Sequence, residues 1–237
     1  MTSDEKAITN ATISATIRPV SIAVWDPMVR FGHWALAAAF AVAYFSGEAE
    51  AGGPDALHVW SGYLVGGIVV LRVLWGFVGP LHARFSDFVC GPVAALRYLT
   101  ELSRGRARRY LGHSPAGGAM VIALLFFLAV TVATGLIAYG GEGKGPLADN
   151  GATLVSKAYA NGNEAEHRTR WQRSTERTDS VIAEVHVALA NITLALVVLH
   201  ILGVALASIV HRENLLSAMI NGTKRAEDAA PTGIHAD

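Results

Sequence analysis

Two long stretches of this chain carry no charge. None of Asp, Glu, Lys or Arg occurs in the 24 residues from Ala116 to Tyr139, or in the 26 residues from Val185 to Val210. A helix needs about 20 mostly apolar residues to cross the hydrocarbon core of a bilayer, so each stretch qualifies as a span by itself. The composition agrees. Charged residues are 16% of the 237, against about 25% in a soluble domain, and the mean hydropathy is +0.37. These features predict an integral membrane protein.

Two further apolar segments, 29–45 and 57–78, complete a set of four. Their lengths suit helices rather than the ~10-residue strands of a barrel, and an open sheet cannot satisfy its edges in lipid. The predicted fold is therefore all-α: an integral membrane four-helix bundle with spans at about 29–45, 57–78, 116–139 and 181–210. The membrane domain runs from 21 to 222. Residues 1–20 and 223–237 read as disordered cytoplasmic tails, and 140–180 as a periplasmic loop whose polar, aperiodic part is Gly151–Thr178. Phe88–Ser103 reads as a short interfacial helix starting after Pro92.

Basic residues in short loops set orientation. Six arginines (Arg84, Arg97, Arg104, Arg106, Arg108 and Arg109) lie between the second and third spans, whereas Ser46–Ala56 has only acids. Both termini are thus expected in the cytoplasm. The long loop 140–180 holds six basic and six acidic residues, so it does not overturn the short-loop signal.

Several function classes drop out. The net charge is zero, without the basic excess that nucleic-acid binding usually requires. The single cysteine, Cys90, permits neither an intramolecular disulfide nor a C-x-x-C-H haem attachment. The first 20 residues lack the apolar core of a signal peptide. No P-loop, dinucleotide fingerprint, H-E-x-x-H or G-x-S-x-G motif occurs, so no catalytic residues are assigned.

Against this apolar background stand four histidines in or at the lip of a span: His33, His58, His186 and His200. One such histidine can simply hydrogen-bond a neighbouring helix, but four together point to function. Alternating span directions place His33 and His200 at one depth and His58 and His186 at the other. His186 and His200 are fourteen residues apart, which puts them within about 40° on one helix face and about 21 Å apart along the axis. That separation forbids a single four-histidine metal site, whose ligands must all lie within about 2 Å of the ion. It suits two flat macrocycles at two depths, each ligated by one histidine pair. Two noncovalent, bis-histidine haems b match the pattern. Small residues follow the histidines on their own faces: Gly62 and Gly66 after His58, Ala190 after His186, Gly203 after His200. Arg72, fourteen residues after His58, either snorkels to the headgroups or pairs a haem propionate; Arg30 has the same two roles open beside His33. His82, His113, His167, His211 and His235 read as solvated surface residues. Trp25, Trp34, Trp60 and Trp75 lie near span ends, where aromatic belts are expected.

The segments VWDPMVRFGHW (24–34), LHVWSGYLVGGIVVLRVLWGFVGP (57–80), ARFSDF (83–88), GHSPAGGAM (112–120), EVHVALAN (184–191) and LHILGVALASIVHRENLLSAMING (199–222) resemble the bacterial cytochrome b561 and nickel-hydrogenase b-type cytochrome family. The resemblance covers most of residues 20–225 except part of the 140–180 loop. It implies a four-helix membrane protein with two haems b, ligated by one histidine on the first span, one on the second and two on the fourth. These map onto the same four residues. It also implies an electron-transfer protein or oxidoreductase subunit working between a redox partner (a c-type cytochrome, a hydrogenase or another dehydrogenase subunit) and the quinone pool. Two other readings compete. One is a proton or metal-ion transporter with a histidine relay, which requires acidic partners along a wet path. The other is a haem-containing membrane anchor of a larger dehydrogenase or hydrogenase complex.

Overall fold

The structure, a computed structural model, describes residues 21–47, 55–148 and 164–225, without the side chains of 164–179 and Arg225. The expected tails at 1–20 and 226–237 lie outside the described residues. Four helices are long and apolar enough to cross a membrane: α1 (Pro27–Phe45), α2 (Ala56–Val78), α5 (Pro115–Gly141) and the Ser180–Val210 part of α6 (Glu164–Val210). Between α2 and α5 come a 3-10 turn (Leu81–Ala83), α3 (Phe85–Phe88) and α4 (Pro92–Ser103). After α6 comes α7 (Leu215–Asn221). The four spans agree with the expected bundle to within a few residues.

The helix starts are written locally. Asp26 caps α1 by accepting from the Val29 amide at 3.1 Å, and Ser114 caps α5 by accepting from Gly117 at 3.2 Å, each followed by proline at the first helical position. Successive spans pack antiparallel, α1 on α2, α2 on α5 and α5 on α6. The apolar core is Ala39, Val65, Val69, Leu125 and Leu128, contributed by α1, α2 and α5. The fourth span adds no buried hydrophobic side chain. It meets its neighbours through polar groups: Thr193 lies 3.3 Å from Thr131 on α5, and Tyr44 of α1 donates to Asn191 at 2.8 Å. Large apolar side chains such as Phe45, Leu74, Phe77 and Ile209 face outward, as a lipid-facing surface requires.

Two features differ from the expectation, and a third agrees with it. First, Gly151–Thr178 is not loop throughout, because α6 begins at Glu164 and runs 47 residues, about 70 Å at 1.5 Å per residue. Periodicity is silent there because the segment has no apolar stripe. Residues 164–202 nevertheless contain neither glycine nor proline, and extending a formed helix costs far less than nucleating a new one. Second, Thr223–Arg225, assigned to the tail, form strand β2 and pair antiparallel with β1 (Ser21–Ala23). Gly222 makes this possible. It ends α7 at φ +83°, and its carbonyl accepts the Val24 and Trp25 amides at 2.8 and 3.1 Å. The chain segments flanking the first and last spans are thus clasped at one end of the bundle. Third, α4 matches its expected start at Pro92, and buries Ala95, Tyr98 and Leu102 along one stripe.

Arg109 and Glu213 form a buried ion pair at 2.6 Å at the clasp end. Gly118 on α5 packs so tightly that an added Cβ would sit 2.5 Å from the Phe88 carbonyl oxygen. Gly118→Leu should therefore destabilise the bundle by about 1–3 kcal/mol. Gly67→Ala, whose Cβ would meet nothing within 4 Å, should stay within about 0.5 kcal/mol of the parent. Thermal unfolding of the detergent-solubilised chain, followed by circular dichroism, compares the two.

Candidate metal centres

The four span histidines come together in two pairs. His33 of α1 faces His200 of α6 with ring centroids 6.3 Å apart. His58 of α2 faces His186 of α6 at 6.0 Å. A metal–nitrogen bond is about 2 Å, so one ion between two imidazoles puts their ring centres roughly 6 Å apart, since each ring adds about 1 Å. Both pairs fall at that spacing. The first pair lies toward the clasp end and the second toward the opposite end, as the alternating span directions predict.

Hydrogen bonding orients the second pair. The His58 Nδ1 lies 2.8 Å from the Ala43 carbonyl oxygen, and the His186 Nδ1 lies 2.9 Å from that of Thr131. A carbonyl can only accept, so each Nδ1 carries the proton and each Nε2 is left with its lone pair for a metal. The Thr134 hydroxyl, 3.3 Å from the His186 Nδ1, adds a second contact. In the first pair the His33 Nδ1 is buried with no partner, a condition that costs about 1–3 kcal/mol unless a ligand relieves it.

Two glycines give the second pair its room. A Cβ on Gly135 would lie 2.8 Å from the His186 ring, and one on Gly47 would lie 3.1 Å from that of His58. The faces beside the histidines are open: a Cβ on Gly32, Gly62 or Gly203 would meet nothing within 4 Å. No group of three or more His, Cys, Asp or Glu gathers at one point among the described residues. The donor set is two separate imidazole pairs with open space alongside. It fits a planar macrocycle that fills its own equatorial positions, and it does not fit a bare ion that needs four protein ligands.

The other candidates separate. Arg72 donates to the Ala83 carbonyl at 3.2 Å and lies over the Phe85 ring at 5.4 Å. Arg30 donates to the Ile220 carbonyl and ties α1 to α7. Three histidines read as solvated are not. His82 pairs with the buried Asp87 at 3.2 Å, His211 meets the Tyr98 hydroxyl at 3.1 Å, and His113 lies between Trp25 and Phe88, 4.7 and 4.3 Å away. The sequence signal that could have found His113 is its place in the capped start G-H-S-P of α5. Spacing alone does not reveal it, because its neighbours come from distant segments. His167 lies among residues whose side chains are not described, and His235 outside the described residues.

The family model for prokaryotic cytochrome b561 matches residues 24–222, which include all four paired histidines. No curated protein and no solved structure matches the chain. If the open faces are cofactor slots, Gly62→Leu should fold normally yet bind less iron per chain, because its side chain enters the slot beside His58. Metal analysis against protein concentration, with circular dichroism as the control for folding, reads both effects.

Proposed function

The chain belongs to the prokaryotic cytochrome b561 family, membrane b-type cytochromes of electron transfer, and we propose that it carries electrons between a periplasmic redox partner and the quinone pool through two haems b. The observation that carries this reading is the pairing of His33 with His200 and His58 with His186 at 6.3 and 6.0 Å. The haems are held noncovalently, since the one cysteine lies in no C-x-x-C-H motif. When bound, each supplies a one-electron iron couple tuned by its axial ligands and burial.

The protein's own groups account for the restriction to electron transfer. His33 with His200, and His58 with His186, would each hold one haem, which would then supply one-electron transfer rather than a binding site for oxygen or a substrate. The Ala43 and Thr131 carbonyls keep His58 and His186 in the tautomer that ligates through Nε2. The helix α6 carries one ligand of each level fourteen residues apart, which spaces the levels by about 21 Å, most of the ~30 Å hydrocarbon thickness. The arginines of the loop between α2 and α5 put the clasp end, with both termini, in the cytoplasm of an inner-membrane protein. The His58–His186 level then faces the periplasm, where a c-type cytochrome, hydrogenase or other dehydrogenase subunit is the partner.

The purified chain should give about two haems b in a pyridine haemochrome assay, one for each histidine pair, and a b-type reduced-minus-oxidised spectrum. Replacing His200 with alanine should remove the cytoplasmic-side haem and spare the other, and His58→Ala should do the reverse. A preparation that binds no haem sinks the proposal.

A further inference from the structure

Two helices at the clasp end are too short to cross a membrane and yet present apolar side chains outward. The 12 residues of α4 reach about 18 Å, and they pack on α5 and α6 through Ala95, Tyr98 and Leu102. A second stripe, Val93, Leu96 and Leu99, stands on another side of the same helix, with Val93 77% and Leu96 64% exposed. The third side is polar and carries the Arg97–Glu101 pair at 3.2 Å. In α7, Ala218 is buried, while Leu216 and Ile220, one turn apart, are exposed. Contacts from Tyr98 to His211 and from Arg109 to Glu213 fasten both helices to the same end. A helix lying between a bundle and water shows one apolar stripe. A second stripe calls for a second apolar surface.

The chain just beyond α4 adds positive charge that nothing neutralises. There Gly105, at φ +67°, closes the helix in a Schellman turn: its amide donates to the Leu102 carbonyl at 3.0 Å, and the Arg106 amide to that of Glu101 at 2.9 Å. Leu102, buried, anchors one side of this turn, and the buried Arg109–Glu213 pair anchors the other. Between these anchors Arg104, Arg106 and Arg108 are exposed, and none of their side chains has a hydrogen bond or ion pair among the described residues. The link between α2 and α5 contains two acids, Asp87 and Glu101, and these are taken by His82 and Arg97. Three unpaired cations thus stand beside an exposed apolar stripe.

We propose that α4, α7 and the turn 104–108 form a docking surface for anionic phospholipid of the leaflet at the clasp end. The apolar stripes enter the boundary between headgroups and acyl chains, and Arg104, Arg106 and Arg108 bind headgroup phosphates. Charge complementarity selects this occupant. A phosphodiester supplies the anion that the arginines lack, in a geometry a guanidinium can meet with two parallel hydrogen bonds. The acyl chains supply the second apolar surface, and the four spans already bring this end of the chain to the bilayer. The contact fixes the depth of the clasp end in its leaflet and makes no use of the histidine pairs.

The test uses the purified full chain in detergent, titrated with phosphatidylglycerol or with phosphatidylcholine while thermal unfolding is followed by circular dichroism. Phosphatidylglycerol should raise the unfolding midpoint saturably, and phosphatidylcholine should not. Arg104→Gln, Arg106→Gln and Arg108→Gln together should weaken the apparent affinity about fivefold or more, the worth of a single arginine at an anionic surface. Arg104→Lys, Arg106→Lys and Arg108→Lys together should retain most of it. Should the glutamine variant not fold, Arg106→Gln alone decides in the same titration. The apolar stripe is read with all the arginines in place, by a nitroxide attached at Leu96→Cys in a Cys90→Ser background. In vesicles of phosphatidylcholine and phosphatidylglycerol it should collide more often with dissolved oxygen, which enters lipid, than with a water-soluble nickel chelate. Equal stabilisation by the two lipids, or parental affinity in the glutamine variant, would overturn the proposal. So would a nitroxide that meets the nickel chelate more often than oxygen, the result expected of a stripe that faces water or a soluble partner.

Discussion

Inside a bilayer an imidazole has two ring nitrogens to satisfy and almost no water to satisfy them, and the bundle is arranged around that constraint. His58 stands on α2, but its Nδ1 is held by a carbonyl of α1; His186 stands on α6, but its Nδ1 is held by a carbonyl of α5. A carbonyl oxygen has two lone pairs, so Ala43 and Thr131 can accept these bonds without leaving their own helical ladders. Each ring is thus braced by a helix other than the one it grows from. The remaining nitrogen of each ring then has one direction in which to find a partner, which is toward the other ring.

The same constraint explains why the fourth span is so loosely covered. Its own hydrophobic side chains take no part in the apolar core, which α1, α2 and α5 build among themselves. What α6 offers inward is His186, Asn191, Thr193 and His200. Interhelical hydrogen bonds in membranes average well under about 2 kcal/mol each, so they fix register more than they supply stability. A cofactor bound on the histidine faces adds its own binding free energy to that of the fold.

Much of this was legible in the sequence because the physics involved is one-dimensional. Charge-free length marks a span, and fourteen residues on a helix fix both the angle and the distance from His186 to His200. Alternating span direction then assigns His33 to one level and His58 to the other. Side-chain identity and depth suffice for these inferences, and the structure brings the two predicted pairs together. Three things were not legible. The extension of α6 back to Glu164 leaves no apolar period to detect. The clasp joins residues at opposite ends of the chain through three-residue strands too short to register as a pattern. His113 looks like a loop histidine until Trp25 and Phe88, from two other segments, close over it. Each of these depends on non-local contact, which spacing along the chain does not encode.

The clasp bears on the order in which the molecule is completed. Ala23 and Thr223 are partners in the sheet and stand two hundred positions apart, so β1 waits for nearly all the intervening chain to be synthesised. At roughly 5–20 residues per second, the first three spans are in place for many seconds before Gly222 can reach Trp25. The closure of this end therefore has to follow synthesis of the fourth span, and it requires that span to return the chain to the side from which the first one starts. A chain whose last helix is missing or inverted cannot make it, and leaves Ser21–Ala23 without the strand that pairs with it.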